Sequence, residues 1–129
     1  MRILALDHGA ARMGVAICDP TETLASPVGV IEPPDTNAVA AMVSEHHAEL
    51  VVVGLPVSLS GEEGEQAEVA RAFAAELAEA LPIPVETYDE RLTTRLADSS
   101  ARAGAEAPPD ALAAAHLLES YLQHRAGRG

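Results

Sequence analysis

Arg2-Ile-Leu-Ala-Leu-Asp7-His8-Gly9-Ala-Ala-Arg12-Met13-Gly14-Val-Ala-Ile-Cys18-Asp19 decides the fold. Two short apolar runs, Ile3 to Leu6 and Met13 to Cys18, flank a turn of small residues. Each has the length of a strand and the composition of a buried one. Together they predict a hairpin with Asp7 where the first strand ends. Gly9 and Gly14 carry no Cβ, so another backbone or a ligand can come close on either side of the turn. An acid at the end of a central strand, beside glycines, suits a metal ion or a phosphate. It also suits an ordinary acidic turn.

Outward from the hairpin, a third strand is expected from Leu24 to Glu32. Pro27 cannot donate to a ladder, which puts that strand at an edge or breaks it there. Asp35 or Thr36 caps a helix running to His47, with Val39, Met42 and Val43 on one face. The unbroken run Leu50 to Leu55 reads as a strand buried on both faces, as in a parallel sheet. A mobile loop from Val57 to Gly64 follows. A helix from Glu65 to Leu81 then buries Val69, Phe73, Leu77 and Leu81. Val85 to Tyr88 forms a fifth strand that delivers Asp89 and Glu90 at its end. A helix opening at Leu92-Thr93-Thr94 fades by Gly104, and Ala105 to Pro109 is a linker. The last helix starts at Asp110, buries Leu112, Leu117, Leu118, Tyr121 and Leu122, and frays from Arg125. The order β-β-β-α-β-α-β-α-α predicts an α/β fold: a mixed five-stranded sheet, antiparallel first, covered by helices. Residues 1–125 form one domain, and 126–129 a frayed tail.

Composition narrows the function. The chain of 129 residues is 48% hydrophobic, enough for one core. That core must be aliphatic, with one Phe, two Tyr and no Trp. Every one of the eight basic residues is Arg, against 20 acids, for a net charge of −12. Such a balance argues against broad adhesion to nucleic acid or anionic membrane, while a local or metal-mediated site stays open. The single cysteine, Cys18, fits a reducing compartment, and a cytoplasmic location without membrane attachment is expected.

Asp7, the pair Asp89-Glu90, and Asp110 all fall where strands end or helices begin. Ligands of open α/β sheets bind at the carboxyl ends of the strands. Three carboxylates gathered there repel unless a cation neutralises them. Hard oxygen donors favour Mg²⁺ or Mn²⁺, which can clamp the oxygens of an in-line phosphoryl displacement. A zinc set is not credible: Cys18 is within a strand, and His46 and His47 point about 100° apart on a helix. His8 reads either as a turn residue or as a group supporting Asp7. No phosphate-binding P-loop or serine elbow is present.

Leu6-Asp7-His8-Gly9 through Ala16, Val53-Gly54-Leu55-Pro56, Gly61 through Ala67, Asp89-Glu90-Arg91-Leu92-Thr93-Thr94 and Asp110 through Ala115 together resemble the YqgF/RuvX family. The likeness spans residues 1–123. It implies the RNase H-like fold and a Mg²⁺- or Mn²⁺-dependent nuclease that cleaves structured nucleic acid. The implied substrate is the 16S rRNA precursor, in ribosome biogenesis, with a DNA junction as the alternative. Carried over by position, the catalytic and metal-binding acids are Asp7, Glu90 and Asp110, with Asp89 as a substitute. Gly9, Arg12, Arg91 and Arg95 are expected to contact substrate, the protein acting as monomer or homodimer. Three departures stand out. Ala10-Ala11-Arg12 keeps only the arginine of the family's frequent Thr-Lys-Arg, His8 replaces an apolar or aromatic residue, and the linker before Asp110 has none of the family's basic residues. Two other readings remain: a nucleotide or phosphate binder akin to the actin-like ATPases and sugar kinases, and a non-catalytic acidic module that docks on assembly or transcription factors.

Overall fold

The computed structural model describes residues 1–56, 64–89 and 107–128. The expected loop 57–63, Glu90, Arg91, Arg95 and the helix between 92 and 104 lie outside the described residues. Five strands, β1 (Ile3–His8), β2 (Met13–Cys18), β3 (Ala25–Ile31), β4 (Leu50–Leu55) and β5 (Val85–Asp89), form one sheet in the order β3-β2-β1-β4-β5. The first three pair antiparallel; β4 joins β1, and β5 joins β4, in parallel. Helices α1 (Thr36–His46) and α2 (Glu65–Ala80) pack on one face, and α3 (Pro109–Arg128) on the other. This is the mixed α/β architecture read from the sequence.

Strand alternation divides the core. Leu4, Leu6, Val15, Val51 and Val53 face α1 and α2, whereas Ile3, Ala5, Ala16, Leu50 and Val52 face α3. On the α3 side, the part of the sheet under the start of the helix is built from small residues. Ala5 pairs with Ala16 in the sheet, and Ala111, Ala114 and Ala115 face them from the helix, so helix and sheet approach closely. Across this interface Tyr88 Oη shares a 2.8 Å hydrogen bond with Ser120 Oγ, and Tyr121 Oη donates to Glu86 at 2.7 Å. Burial, reinforced by the Glu86 carboxylate, pushes the Tyr121 hydroxyl up to about 12. Edge strand β5 is thereby tied to α3.

Local chemistry explains most boundaries. Asp35 caps α1 by accepting from the Ala38 amide at 3.2 Å. His47 ends it in the left-handed conformation, φ 55°. The His46 carbonyl accepts from Arg2 Nε at 2.7 Å, which ties this helix end to the chain entering β1. Strand β3 is an edge, and its register slips between Val15 and Ala16, where Pro27 brings no amide to the ladder.

Four expectations are corrected. Strand β1 does not stop at Leu6 but runs through Asp7 to His8. Val69 is 46% exposed rather than buried. A stripe repeating every four residues drifts about 40° per step around a helix. Phe73 and Leu77 therefore hold the centre, Ala67, Ala70 and Ala74 complete the face, and Val69 falls off its edge. Leu112 is only partly buried, and the alanines take its place against the sheet. The tail does not fray at Arg125: α3 opens at Pro109 and continues to Arg128. Proline suits a first helical position, having no amide to leave unpaired. Arg125 Nε donates to Glu22 at 2.7 Å and fastens the last turn to the β2–β3 connection.

Candidate metal and nucleic-acid site

Asp7 stands in β1 with a glycine on each side. Its sheet partner on β2 is Gly14, and on β4 it is Gly54. Neither sheet partner carries a Cβ. Gly14 faces α3, and the helix uses the gap: a Cβ placed on Gly14 would lie 1.8 Å from the carbonyl oxygen of Asp110 and 2.4 Å from its carbonyl carbon. The backbone of Asp110 therefore rests on the residue directly opposite Asp7. The start of α3, with Asp110, is thereby seated over the β2 residue that pairs with Asp7, at the carboxyl-terminal side of β1.

Asp110 lies in the first turn of α3, where the helix dipole favours negative charge. Its carboxylate is in an ion pair: Arg12 Nε lies 2.9 Å from Asp110 Oδ2. Arg12 Nη1 also lies 3.7 Å from Glu32 Oε2. Arg12 and Asp110 are 59% and 41% exposed. Pairs this open contribute only about 0–1 kcal/mol, so the contact is readily exchanged.

The same row of the sheet discriminates between the adjacent acids of β5. Asp7, Gly54 and Tyr88 are in register and share a face. Asp89 pairs with Leu55, one step further, and so belongs to the α1–α2 face. Asp89 is therefore one step out of register with the row that holds Asp7. Glu90 lies outside the described residues. Among the described residues no group of three His, Cys, Asp or Glu is placed to hold a metal, and Asp7 with Asp110 is the pair brought together.

His8 is separated from Asp7 by the same alternation. It is 6% exposed, its ring centroid lies 5.0 Å from that of Phe73, and Gln66 Nε2 is 3.3 Å from its Nδ1. Burial lowers the pKa of His8, and a backbone hydrogen bond opposes this in part. It is a core residue of the α2 interface. Because its folded pKa is depressed, the unfolded chain binds more protons as pH falls below the ordinary histidine value, and stability is lost there. Urea unfolding at pH 7.5 and 5.5 should show a larger loss in the wild type than in His8→Phe. Equal losses would show that His8 protonates without cost in the fold.

Gly9 closes the hairpin turn. Its amide donates to the Arg12 carbonyl at 3.0 Å, so it is already engaged rather than free for a phosphate. Sequence reading placed Arg12 at the site but missed its pairing with Asp110 and Glu32. Nothing local links Arg12 to residue 110. The signal was Gly14, since glycine inside a strand marks a close backbone approach.

The comparisons agree with this geometry. The family model described as "RuvX: Holliday junction resolvase" matches residues 1–124. The chain is 53% identical over 105 residues to a Thermobifida fusca protein provisionally named a pre-16S rRNA nuclease, covering 79% of this chain and 66% of that one. It is 42% identical over 135 residues to a protein of the same provisional name from Anaeromyxobacter, covering 97% and 98%. Among solved structures it resembles T. thermophilus RuvC in complex with a Holliday junction substrate, with a TM-score of 0.69 at 14% identity over 98% and 96% of the two chains. That likeness shows the fold, the RuvC-like RNase H architecture. A whole-chain family match and relatives at 42% and 53% identity place this protein in the RuvX family.

Proposed function

We propose that this protein is a divalent-metal-dependent endonuclease acting on structured RNA, with the 16S rRNA precursor as substrate and the cytoplasm as its place of work. The convergence of Asp7 and Asp110 through Gly14 carries the reading. The names of its relatives support RNA over a DNA junction. The donor set fits Mg²⁺ or Mn²⁺: it consists of carboxylate oxygens, Asp110 is open to solvent, and a cation, the Arg12 guanidinium, already rests on it. Asp7 and Asp110, joined by Glu90, would hold the ion. Bound there, it would polarise a phosphoryl oxygen and lower the pKa of a water nucleophile.

The chain's own residues supply position and charge. Gly14 fixes where α3 begins, and so where the Asp110 carboxylate stands relative to Asp7. Arg12, with Arg91 and Arg95, would neutralise backbone phosphates flanking the cut, a role for which this acidic chain has few other cations.

Purified protein with Mn²⁺ should cleave a 16S precursor transcript and leave a four-way DNA junction intact. Cleavage of the junction alone would make it a resolvase, as the family description has it. Binding without cleavage of either would favour a non-catalytic acidic module.

A further inference from the structure

We propose that Arg12 is a displaceable counter-ion of the metal site: it holds Asp110 until a divalent ion arrives, and is thereby released to grip substrate phosphate. The proposal rests on the metal reading of Asp7 and Asp110 given above. Its own observation is the position of one guanidinium.

Arg12 closes the β1–β2 turn, so its backbone is anchored by the Gly9 amide while its side chain remains free to turn. Nε meets Asp110 Oδ2 at 2.9 Å, and Nη1 is 3.7 Å from Glu32 Oε2. The contact occupies one of the two oxygens of Asp110, on the same carboxylate that a metal would use. A guanidinium and a divalent cation cannot share it without repelling each other. The pair is weak because both partners are half exposed, so it yields to a doubly charged ion. Glu32 lies on the far side of Arg12 and keeps the displaced side chain near the turn.

Two consequences follow. The divalent ion must compete with Arg12, so the site is buffered against binding metal weakly and prematurely. Once displaced, Arg12 brings one more positive charge to the mouth of the site, so metal and nucleic acid bind cooperatively. Linkage makes this reciprocal: substrate that captures Arg12 should tighten metal binding equally.

Calorimetric titration of Mn²⁺ into the wild type, Arg12→Gln and Asp7→Asn separates the readings. Arg12→Gln should bind Mn²⁺ about three- to tenfold more tightly than wild type, because a competitor and a like charge have gone. If Arg12 merely braced Asp110, the same substitution would loosen the ligand and weaken metal binding. Unchanged or weaker Mn²⁺ affinity in Arg12→Gln, with binding abolished in Asp7→Asn, overturns this proposal and leaves the metal site standing. Equal Mn²⁺ affinity in Asp7→Asn and wild type, or none in either, overturns both.

The second arm measures a labelled single-stranded RNA, with Ca²⁺ in place of Mn²⁺ to hold it uncut. Arg12→Gln should weaken RNA binding several-fold with Ca²⁺ and change it less than about twofold without divalent ion, when Arg12 is still engaged by Asp110. A defect of the same size in both conditions would show that Arg12 is never sequestered.

Discussion

Gly14→Ala should cost this protein both its site and much of its stability. The added methyl would stand 1.8 Å from the Asp110 carbonyl oxygen and 3.1 Å from the Ala111 amide nitrogen, with backbone on both sides of the clash. No rotamer can relieve it. Either the start of α3 lifts from the sheet or β2 bows away from β1, and each separates Asp110 from Asp7. Overpacking a core typically costs about 1–3 kcal/mol, and a clash with rigid backbone belongs at the upper end. For a chain of this size that corresponds to a fall in melting midpoint of about 10 °C. Cleavage should fall with it even at temperatures where the variant is fully folded. Gly29→Ala is the matched control, since a Cβ there meets nothing within 4 Å and the edge strand accepts it. Comparable melting of the two variants would mean that the helix start has room to adjust.

Asp7→Asn should leave the fold intact and remove the chemistry. The substitution preserves shape and deletes the charge that the metal reading requires. Changes at groups that merely support a metal ligand already cost about 10–100-fold, so loss of the ligand itself should cost at least about a hundredfold in cleavage rate. A second readout does not depend on activity. Saturating Mn²⁺ should raise the wild-type melting temperature, because a ligand at a hundredfold excess over its dissociation constant stabilises by about 2.7 kcal/mol. That rise should be largely absent in Asp7→Asn. A variant that still gains stability from Mn²⁺ and still cleaves would place the metal elsewhere.

The sheet was legible because its signals are local and redundant. Leu50 to Leu55 is apolar throughout, and only a strand covered on both faces keeps such a run out of water. Pro27 marked β3 as an edge, Asp35 marked the start of α1, and both stand where chemistry puts them. The helix faces were harder. Val69 and Leu112 looked like core on spacing alone, but Val69 drifted off a face centred on Phe73 and Leu77, and on α3 alanines such as Ala114 took the contact surface. The site was legible in part. Asp7 and Asp110 were named from their positions and from family resemblance, and the sheet register with the Gly14 contact seats the start of α3 over the strand row that holds Asp7. What the sequence concealed was partnership across the fold: Arg12 with Asp110 and Glu32, and His8 with Phe73 and Gln66. Those pairings depend on which face of β1 each neighbour takes, and that became readable only when the strand was seen to extend through His8.

The opposed faces of Asp7 and His8 also limit how this chain can vary in length. Dropping one residue from within β1 shifts every later side chain of the strand to the other face. The carboxylate would then point at Phe73 in the apolar layer, and the imidazole would take its place beneath α3. Either misplacement is costly, since a buried unpaired carboxylate must be neutralised or paired. Related chains should therefore tolerate insertions and deletions between residues 9 and 12, where the turn can absorb them, and reject them between Ile3 and His8.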